Sequence, residues 1–529
     1  MADLILHSGR VFDSLHGALA PATAVAVTGN RITAVGSDSE IRALGGPSCE
    51  YVDLRGRLLA PGLIDAHCHF QGWGMAKSAI DLKAPNIHSL QDVAQAVKQR
   101  AATVPPGTWV RGRGYDQGKL REGRHPDRAL LDEVAPDHPV VLTRTCGHIA
   151  AVNSRALQAM GVDERISDPA GGRFGRRPDD GQLDGILYET AQRPLHAAMP
   201  RPTEEDRLEA IAAASRDYLS YGVTSVHDAG GAEPALMQHA RAHGRLNTRV
   251  YLMQVAEEGD TARDDALAEI GIRTGFGDDW LRIGPFKLFA DGSSSGPTAA
   301  TREPYAIDPA NRGILRITQE EADRRYAAAH ARGMQVTAHA QGDQAIDIIL
   351  TAIERAMARH PRPDPRHRIE HAGIAQPDLV ARMRTAGVIP VAQPVFSYEF
   401  GEGYVRDYGP QRGHRFMPCR ALLEAGIPVA LSSDAPVTTA DALFGLEIAV
   451  TRRSQGGPAI GPDQAVTWEQ ALVGYTWNAA RAAFEEDAKG AILPGYLADL
   501  AVLSGDAPSF RADLTVVDGR IAYERPRAD

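Results

Sequence analysis

Eight short apolar runs, each closed by polar residues and most followed by a helical stretch, constrain this chain more than any other feature. They are GLIDAHCH (62–69), GVTSVHDAG (222–230), RVYLMQV (249–255), IGPFKLFADG (283–292), MQVTAHAQG (334–342), HRIEHAG (367–373), VIPVAQP (388–394) and IPVALSSDAP (427–436). Stretches such as TEEDRLEAIAAASRDYLSYG (203–222) and AIDIILTAIERAMARH (345–360) between them carry apolar residues at helical spacing. A buried strand followed by an amphipathic helix, repeated eight times, predicts an α/β fold, a (β/α)8 TIM barrel. The gap between the first and second runs is far longer than the others. It holds strand-like pieces, TWVRGRGYD (108–116) and PVVLTRT (139–145), and helical ones, SLQDVAQAVKQRA (89–101) and PDRALLDEVA (126–135). Residues 76–200 are therefore expected to form an inserted α/β subdomain on the catalytic face.

The two ends of the chain share another pattern. LILHSGRVF (4–12), ATAVAVTGNRITAVG (22–36) and YVDLRGRLL (51–59) near the start match ADLAVLSGD (498–506) and DLTVVDGRIAYE (513–524) near the end: β-rich runs joined by Gly and Asp turns. Thr28-Gly29-Asn30-Arg31 reads as a hairpin turn. Neither end is long enough to bury a sheet face alone, so residues 1–58 and 486–529 are expected to pair into one composite β-sandwich flanking a barrel of residues 59–485.

Several function classes fall away. Lys and Arg number 57 against 67 Asp and Glu, a net charge of −10. Neither sign forms a long block, which argues against a nucleic-acid partner. No window approaches the roughly 18 uninterrupted apolar residues of a membrane helix, and the start, MADLILHSGRVFD, lacks the basic and apolar regions of a signal peptide, so the cytoplasm is the default compartment. Cys49, Cys68, Cys146 and Cys419 lie far apart without a CxxC pair, which disfavours a disulfide framework or a cysteine zinc site. A homo-oligomer is left open.

The strongest local signal is Asp65-Ala66-His67-Cys68-His69. Residues two apart on a strand face the same side, so His67 and His69 form a pincer. His339, His371 and Asp434 close the fifth, sixth and eighth runs, and Lys287 lies in the fourth. Barrel active sites collect at the C-terminal strand ends, where all these residues fall. Four imidazoles and a carboxylate suit zinc or a similar divalent ion. Buried beside cations, Lys287 would have its pKa lowered from about 10.4 and could capture carbon dioxide as an anionic carbamate able to bridge two metals. A structural ion pair with Asp291 is the alternative for Lys287.

With these residues in place, the sequence resembles the amidohydrolase superfamily, in particular the amidohydrolase 3 branch that includes N-substituted formamide deformylases. The resemblance runs nearly end to end, through DAHCH (65–69), GYD (114–116), GHIAAVNSRAL (147–157), GVTSVHDAG, KLFADGS (287–293), HAQGDQAID (339–347), RIEHAG (368–373), SSDAP (432–436) and LPGYLADLAVL (493–503). It implies a metal-bearing barrel in which His67 and His69 hold one metal with Asp434, His339 and His371 hold the other, and N6-carboxylated Lys287 bridges two divalent ions, zinc foremost. It implies hydrolysis of a non-peptide C–N bond in a small-molecule amide, an N-formyl or N-acyl compound, by a metal-activated hydroxide, with Asp434 as the proton shuttle. A cyclic amidase, deaminase or lactonase on the same site stays open, as does a non-hydrolytic barrel (an isomerase, decarboxylase or inactive binder).

Other residues receive supporting roles. His148, in the inserted region, is a candidate catalytic donor to the substrate oxygen. His227 and Asp228 end the second strand and face the site, where they are expected to pack behind the ligands. For Asp116 and Glu189, polar residues in the family-like motifs, a structural role weighs at least as much as a functional one. Glu370 precedes His371 on its strand and is expected to point away from the site, toward the helix layer. Phe396, Tyr398, Phe400, Tyr404, Tyr408 and Phe416 crowd residues 396–416, read as a loop that either lids the substrate pocket or packs on itself. Arg406, Arg412 and Arg415 on it are offered as carboxylate binders.

Overall fold

The computed structural model describes residues 1–77, 79–83, 87–230, 232–256 and 261–526. Eight strands form one parallel sheet: β1 (Leu63–Cys68), β2 (Val223–Asp228), β3 (Arg249–Val255), β4 (Leu281–Phe289), β5 (Val336–Ala340), β6 (Arg368–His371), β7 (Ile389–Ala392) and β8 (Ala430–Leu431). Their spatial order is the sequence order, so each of the eight runs supplies one barrel strand. Just past β8 the chain meets the first strand: Asp434 N donates to His67 O at 2.8 Å and His69 N to Ala435 O at 2.7 Å. Asp65 pins the same seam by accepting Ser433 N at 2.9 Å. The sheet thus closes at the level of the metal-ligand candidates.

The surrounding helices start and stop where side-chain chemistry dictates. Helix Glu204–Ser220 opens on a capping box between Thr203 and Asp206. Helix Asp343–Arg359 buries Ile346, Ile349, Leu350 and Ile353 against the barrel, a helical period that leaves its other face to solvent. Helix Pro377–Ala386 begins with proline, whose missing N–H has no helical partner to lose there, and stops at Gly387 in the left-handed region (φ 63°).

Within residues 76–200 a six-stranded sheet runs in the order 172–176, 183–189, 149–152, 140–144, 110–115, 80–81. It packs its own core from Val93, Val97, Val110, Leu131, Val140 and Leu142. At the chain ends, a four-stranded sheet (2–7, 24–28, 31–36, 45–53) faces a six-stranded one in which Leu58–Pro61 pairs antiparallel with Leu500–Ser504. Leu6, Val27, Leu59, Leu500, Val502 and Val516 fill the space between them. The Thr28–Arg31 turn forms with Gly29 at φ 58°. Residues 527–529 of the expected sandwich range lie outside the described residues. The buried Arg249 ties β3 to the returning chain, donating to Asp499 at 2.6 and 3.0 Å. No described helix is long and apolar enough to cross a membrane.

Candidate active site

Alternation along β1 puts His67 and His69 on the inner face of the barrel and Cys68 outside, buried. Asp434, just beyond β8, adopts φ 55°, a left-handed conformation that costs a non-glycine residue about 1 kcal/mol or more. That turn brings its Oδ1 within 3.4 Å of Nε2 of both His67 and His69. The same oxygen is buried and makes no hydrogen bond. Three electron-pair donors converging on one point, one of them an orphaned buried carboxylate oxygen, fit a divalent cation, and these three residues can present ligand atoms within 4.8 Å of one another.

His339 and His371 stand beside this trio. The rings of His67 and His371 lie 4.9 Å apart and those of His339 and His371 4.5 Å apart. Each imidazole has one nitrogen fixed by an acceptor. His67 Nδ1 meets Glu370 Oε2 at 2.5 Å, His69 Nδ1 meets Gly230 O at 3.2 Å, and His371 Nδ1 meets Gln393 Oε1 at 2.8 Å. His339 uses Nε2, 3.0 Å from Gly292 O. Outer partners of this kind set the tautomer and aim the other nitrogen at a metal.

Electrostatics follow burial and neighbours. Burial pushes the Lys287 amine down to about 8, against the opposing carboxylates of Glu370 and Asp434. Its Nζ donates to Ala229 O at 3.0 Å. Asp291 is occupied elsewhere, accepting the N–H groups of Gln341, Gly342 and Ala300 at 3.0, 2.8 and 2.9 Å, so the Lys287–Asp291 alternative does not hold. Burial also takes His371 down to about 3, keeping that imidazole neutral, as a metal ligand must be. Burial opposes ionisation of Asp434, but the two imidazoles beside it hold its pKa well below the usual carboxylate range.

Glu370 corrects the sequence expectation. It faces the barrel interior rather than the helix layer: Arg368 and Glu370, two apart, both point inward, and their neighbour His371 is turned back to the same side by φ 77°. The break in alternation comes from that left-handed residue. His227 also faces inward, with Nδ1 3.0 Å from Arg368 Nη1. Asp228 holds Gly230 N at 2.8 Å. Asp116 pairs with the buried Arg144 at 2.8 Å.

A cavity of about 400 Å³ opens above His69, walled by His148, Glu189 and Arg113 from the inserted segment and by Phe289 and Val437 from the barrel. His148 Nδ1 lies 2.7 Å from Glu189 Oε2, and Glu189 also accepts Thr298 Oγ1 at 2.8 Å. Burial disfavours a charged His148, but the Glu189 carboxylate outweighs it and raises the pKa above the ordinary histidine value. Glu189 itself sits at φ 51°, ψ −121°, a strained backbone of the sort that collects at working sites.

The aromatic stretch is a helix, Val395–Tyr408, rather than a loop. Phe396, Phe400, Tyr404 and Tyr408 fall on one buried face, and Tyr404 stacks on Phe416 with centroids 3.9 Å apart. The rings pack on one another, and Phe396 also lies parallel to the His371 ring at 6.0 Å. Arg406 pairs with Asp407, and Arg412 donates to the carbonyls of Tyr408, Glu303 and Pro304. Sequence reading missed Gln393 and Arg368. Gln393 closes an apolar run as His339 and His371 do, and Arg368 is a second charge on one face of a buried strand; both were detectable signals.

The family model described as amidohydrolase family matches residues 50–523. The chain belongs to the amidohydrolase family. This amidohydrolase is an enzyme of the carbon–nitrogen hydrolase class. It is similar to the N-substituted formamide deformylase of Arthrobacter pascens, 32% identical over 523 residues and 95% of each chain. Protein LONG AFTER FAR-RED 3 of Arabidopsis thaliana is 30% identical over 518 residues, 95% of this chain and 87% of that one. Among solved structures, an uncharacterized metal-dependent hydrolase from Pyrococcus horikoshii superimposes with a TM-score of 0.75 at 26% identity, covering 98% of this chain and 100% of that one.

Proposed function

We propose that this amidohydrolase cleaves the amide bond of a small N-formyl or N-acyl compound at a divalent-metal centre. The observation that carries the reading is the unpartnered Asp434 Oδ1, 3.4 Å from Nε2 of both His67 and His69. The similarity to a formamide deformylase supports the substrate class. His67, His69 and Asp434 would hold one ion. His339 and His371 would hold a second, with Lys287 bridging as its carbamate, which its depressed pKa favours because only the free amine captures carbon dioxide. The ions, zinc foremost, would acidify a water toward neutral pH and polarise the amide carbonyl.

The protein's own groups do the rest. Asp434, ionised because its pKa is held low, takes the proton of the attacking water and delivers it to the leaving nitrogen, since an amine is expelled only once protonated. His148, anchored through Nδ1 by Glu189, offers its other nitrogen to the cavity and, as the imidazolium that Glu189 favours, donates to the carbonyl oxygen as negative charge builds there. The cavity of about 400 Å³ falls within the range of small-molecule pockets and has room for a small amide.

A panel of formamides, N-acyl amino acids, hydantoins and lactones, assayed with the metal-loaded protein, tests the reading. Turnover of formamides or N-acyl amines is expected. Turnover confined to hydantoins or lactones would replace this substrate class with another.

A further inference from the structure

Below the metal-ligand candidates, the barrel interior holds a salt bridge that mechanism alone does not require. Arg368 and Glu370 are both fully buried, and His67 is 1% exposed. Arg368 Nε donates to Glu370 Oε1 at 2.8 Å and Arg368 Nη2 to Oε2 at 2.9 Å. Thr337 Oγ1 from β5 donates to Oε1 at 2.6 Å. Arg368 is itself held by Ala66 O at 2.7 Å and by His227 Nδ1 at 3.0 Å. A buried ion pair of this kind is seldom more stable than a well-packed apolar pair of the same volume. Stability therefore does not account for it, and its remaining contact does: Glu370 Oε2 to His67 Nδ1 at 2.5 Å.

We infer that Glu370, locked in place by Arg368, is a positioning residue that holds the His67 ring with Nε2 directed at the metal site, and thereby sets how tightly that site keeps its ion. The inference rests on the metal centre proposed above. A carboxylate is acceptor-only when ionised, so the proton between it and His67 belongs to Nδ1 and the lone pair is left on Nε2. That Nε2 lies 3.4 Å from Asp434 Oδ1. His69 and His371 give their Nδ1 to neutral oxygens, of Gly230 and Gln393, whereas His67 gives it to a charged one. A charged acceptor makes the stronger bond and the more basic ligand. Because Ala66 O accepts from Arg368, the same guanidinium grips the strand that carries His67 as well as the acid that orients it.

The test uses full-length protein stripped with chelator and titrated with zinc against a chromophoric chelator. Glu370→Gln is expected to bind zinc about 10–100-fold more weakly than the unaltered protein. Glu370→Asp keeps the charge opposite Arg368 but draws it back from His67, so it should lose affinity in the same direction while keeping its unfolding midpoint. Thr337→Val, which leaves the carboxylate on His67, should bind within about threefold of the unaltered protein. Cobalt(II) loading adds a readout that a merely structural role would not move: the ligand-field absorption should change in both Glu370 variants and not in Thr337→Val. Should Glu370→Gln fail to fold, Glu370→Asp decides. Unchanged zinc affinity in the folded Glu370 variants overturns this inference alone; unaltered protein that takes up no zinc overturns the metal centre and this inference with it.

Discussion

Replacing Lys287 by methionine is the perturbation whose outcome depends most directly on the physical state of the site. Lys287 is 1% exposed, and the only hydrogen bond of its amine among the described residues goes to Ala229 O at 3.0 Å. Burial lowers its pKa from 10.5 to about 8. At about 1.4 kcal/mol per pH unit, the charged amine destabilises the metal-free fold by ~3 kcal/mol. Below pH 8 the amine is charged in both folded and unfolded chains, and the whole penalty is present. Between pH 8 and 10.5 the folded chain releases the proton while the unfolded chain keeps it, so the unfolded state binds more protons and stability rises with pH. Methionine removes the penalty and leaves Ala229 O without its donor, a loss of about 1 kcal/mol. The chelator-stripped variant should therefore be more stable than the unaltered protein by ~2 kcal/mol at pH 7. The difference should shrink and reverse as pH approaches 10.5. Urea denaturation in carbon dioxide-depleted buffer at pH 7, 8.5 and 10 reads it. Adding bicarbonate should stabilise the unaltered protein and leave the variant unmoved. A methionine variant less stable at pH 7 would refute the reasoning, because it would make Lys287 a net structural cation rather than an amine poised to lose its charge.

Asp434→Asn should lower kcat about 100-fold or more while circular dichroism stays that of the unaltered protein; near-normal turnover would remove the carboxylate from proton transfer. Arg249→Met should cost about 3–5 kcal/mol in urea denaturation by leaving the buried Asp499 carboxylate unpaired, and adding Asp499→Leu should restore most of it. If the double variant is no better than the single, the bridge is not the source of the loss. Gly292→Ala would drive a methyl group into Thr298 Oγ1 and Glu189 Oε1. It should lower kcat/KM at least about tenfold by displacing the support of His148, with normal activity speaking against that support.

The barrel was readable from sequence because buried parallel strands appear as near-continuous apolar runs and the polar residue ending each run marks the catalytic rim. The composite sandwich was readable for a related reason: two end segments with the same strand and turn pattern, each too short to stand alone, had only each other to pair with. What escaped was local geometry that breaks a periodic rule. Alternation assigned Glu370 to the outside because His371 was taken as an inward residue of a regular strand, and only the left-handed turn at His371 reconciles the two. The helix 395–408 was obscured by Gly401 and Gly403, yet Phe396, Phe400, Tyr404 and Tyr408 repeat every fourth residue, a helical stripe in plain view. Gly401 is there because a side chain at that point would run into Ile460. The His148–Glu189 pair joins residues 41 apart, one just before the strand Ile149–Val152 and one at the end of the strand Leu183–Glu189, a contact that pattern alone does not specify.

The metal centre is the claim on which the rest depends, and the metal content of the purified protein after supplementation and removal of loose ions tests it most directly. About one to two divalent ions per chain are expected, lost on chelation together with activity and restored with it. Fewer than about 0.5 ion per chain from protein that is folded and active would contradict it.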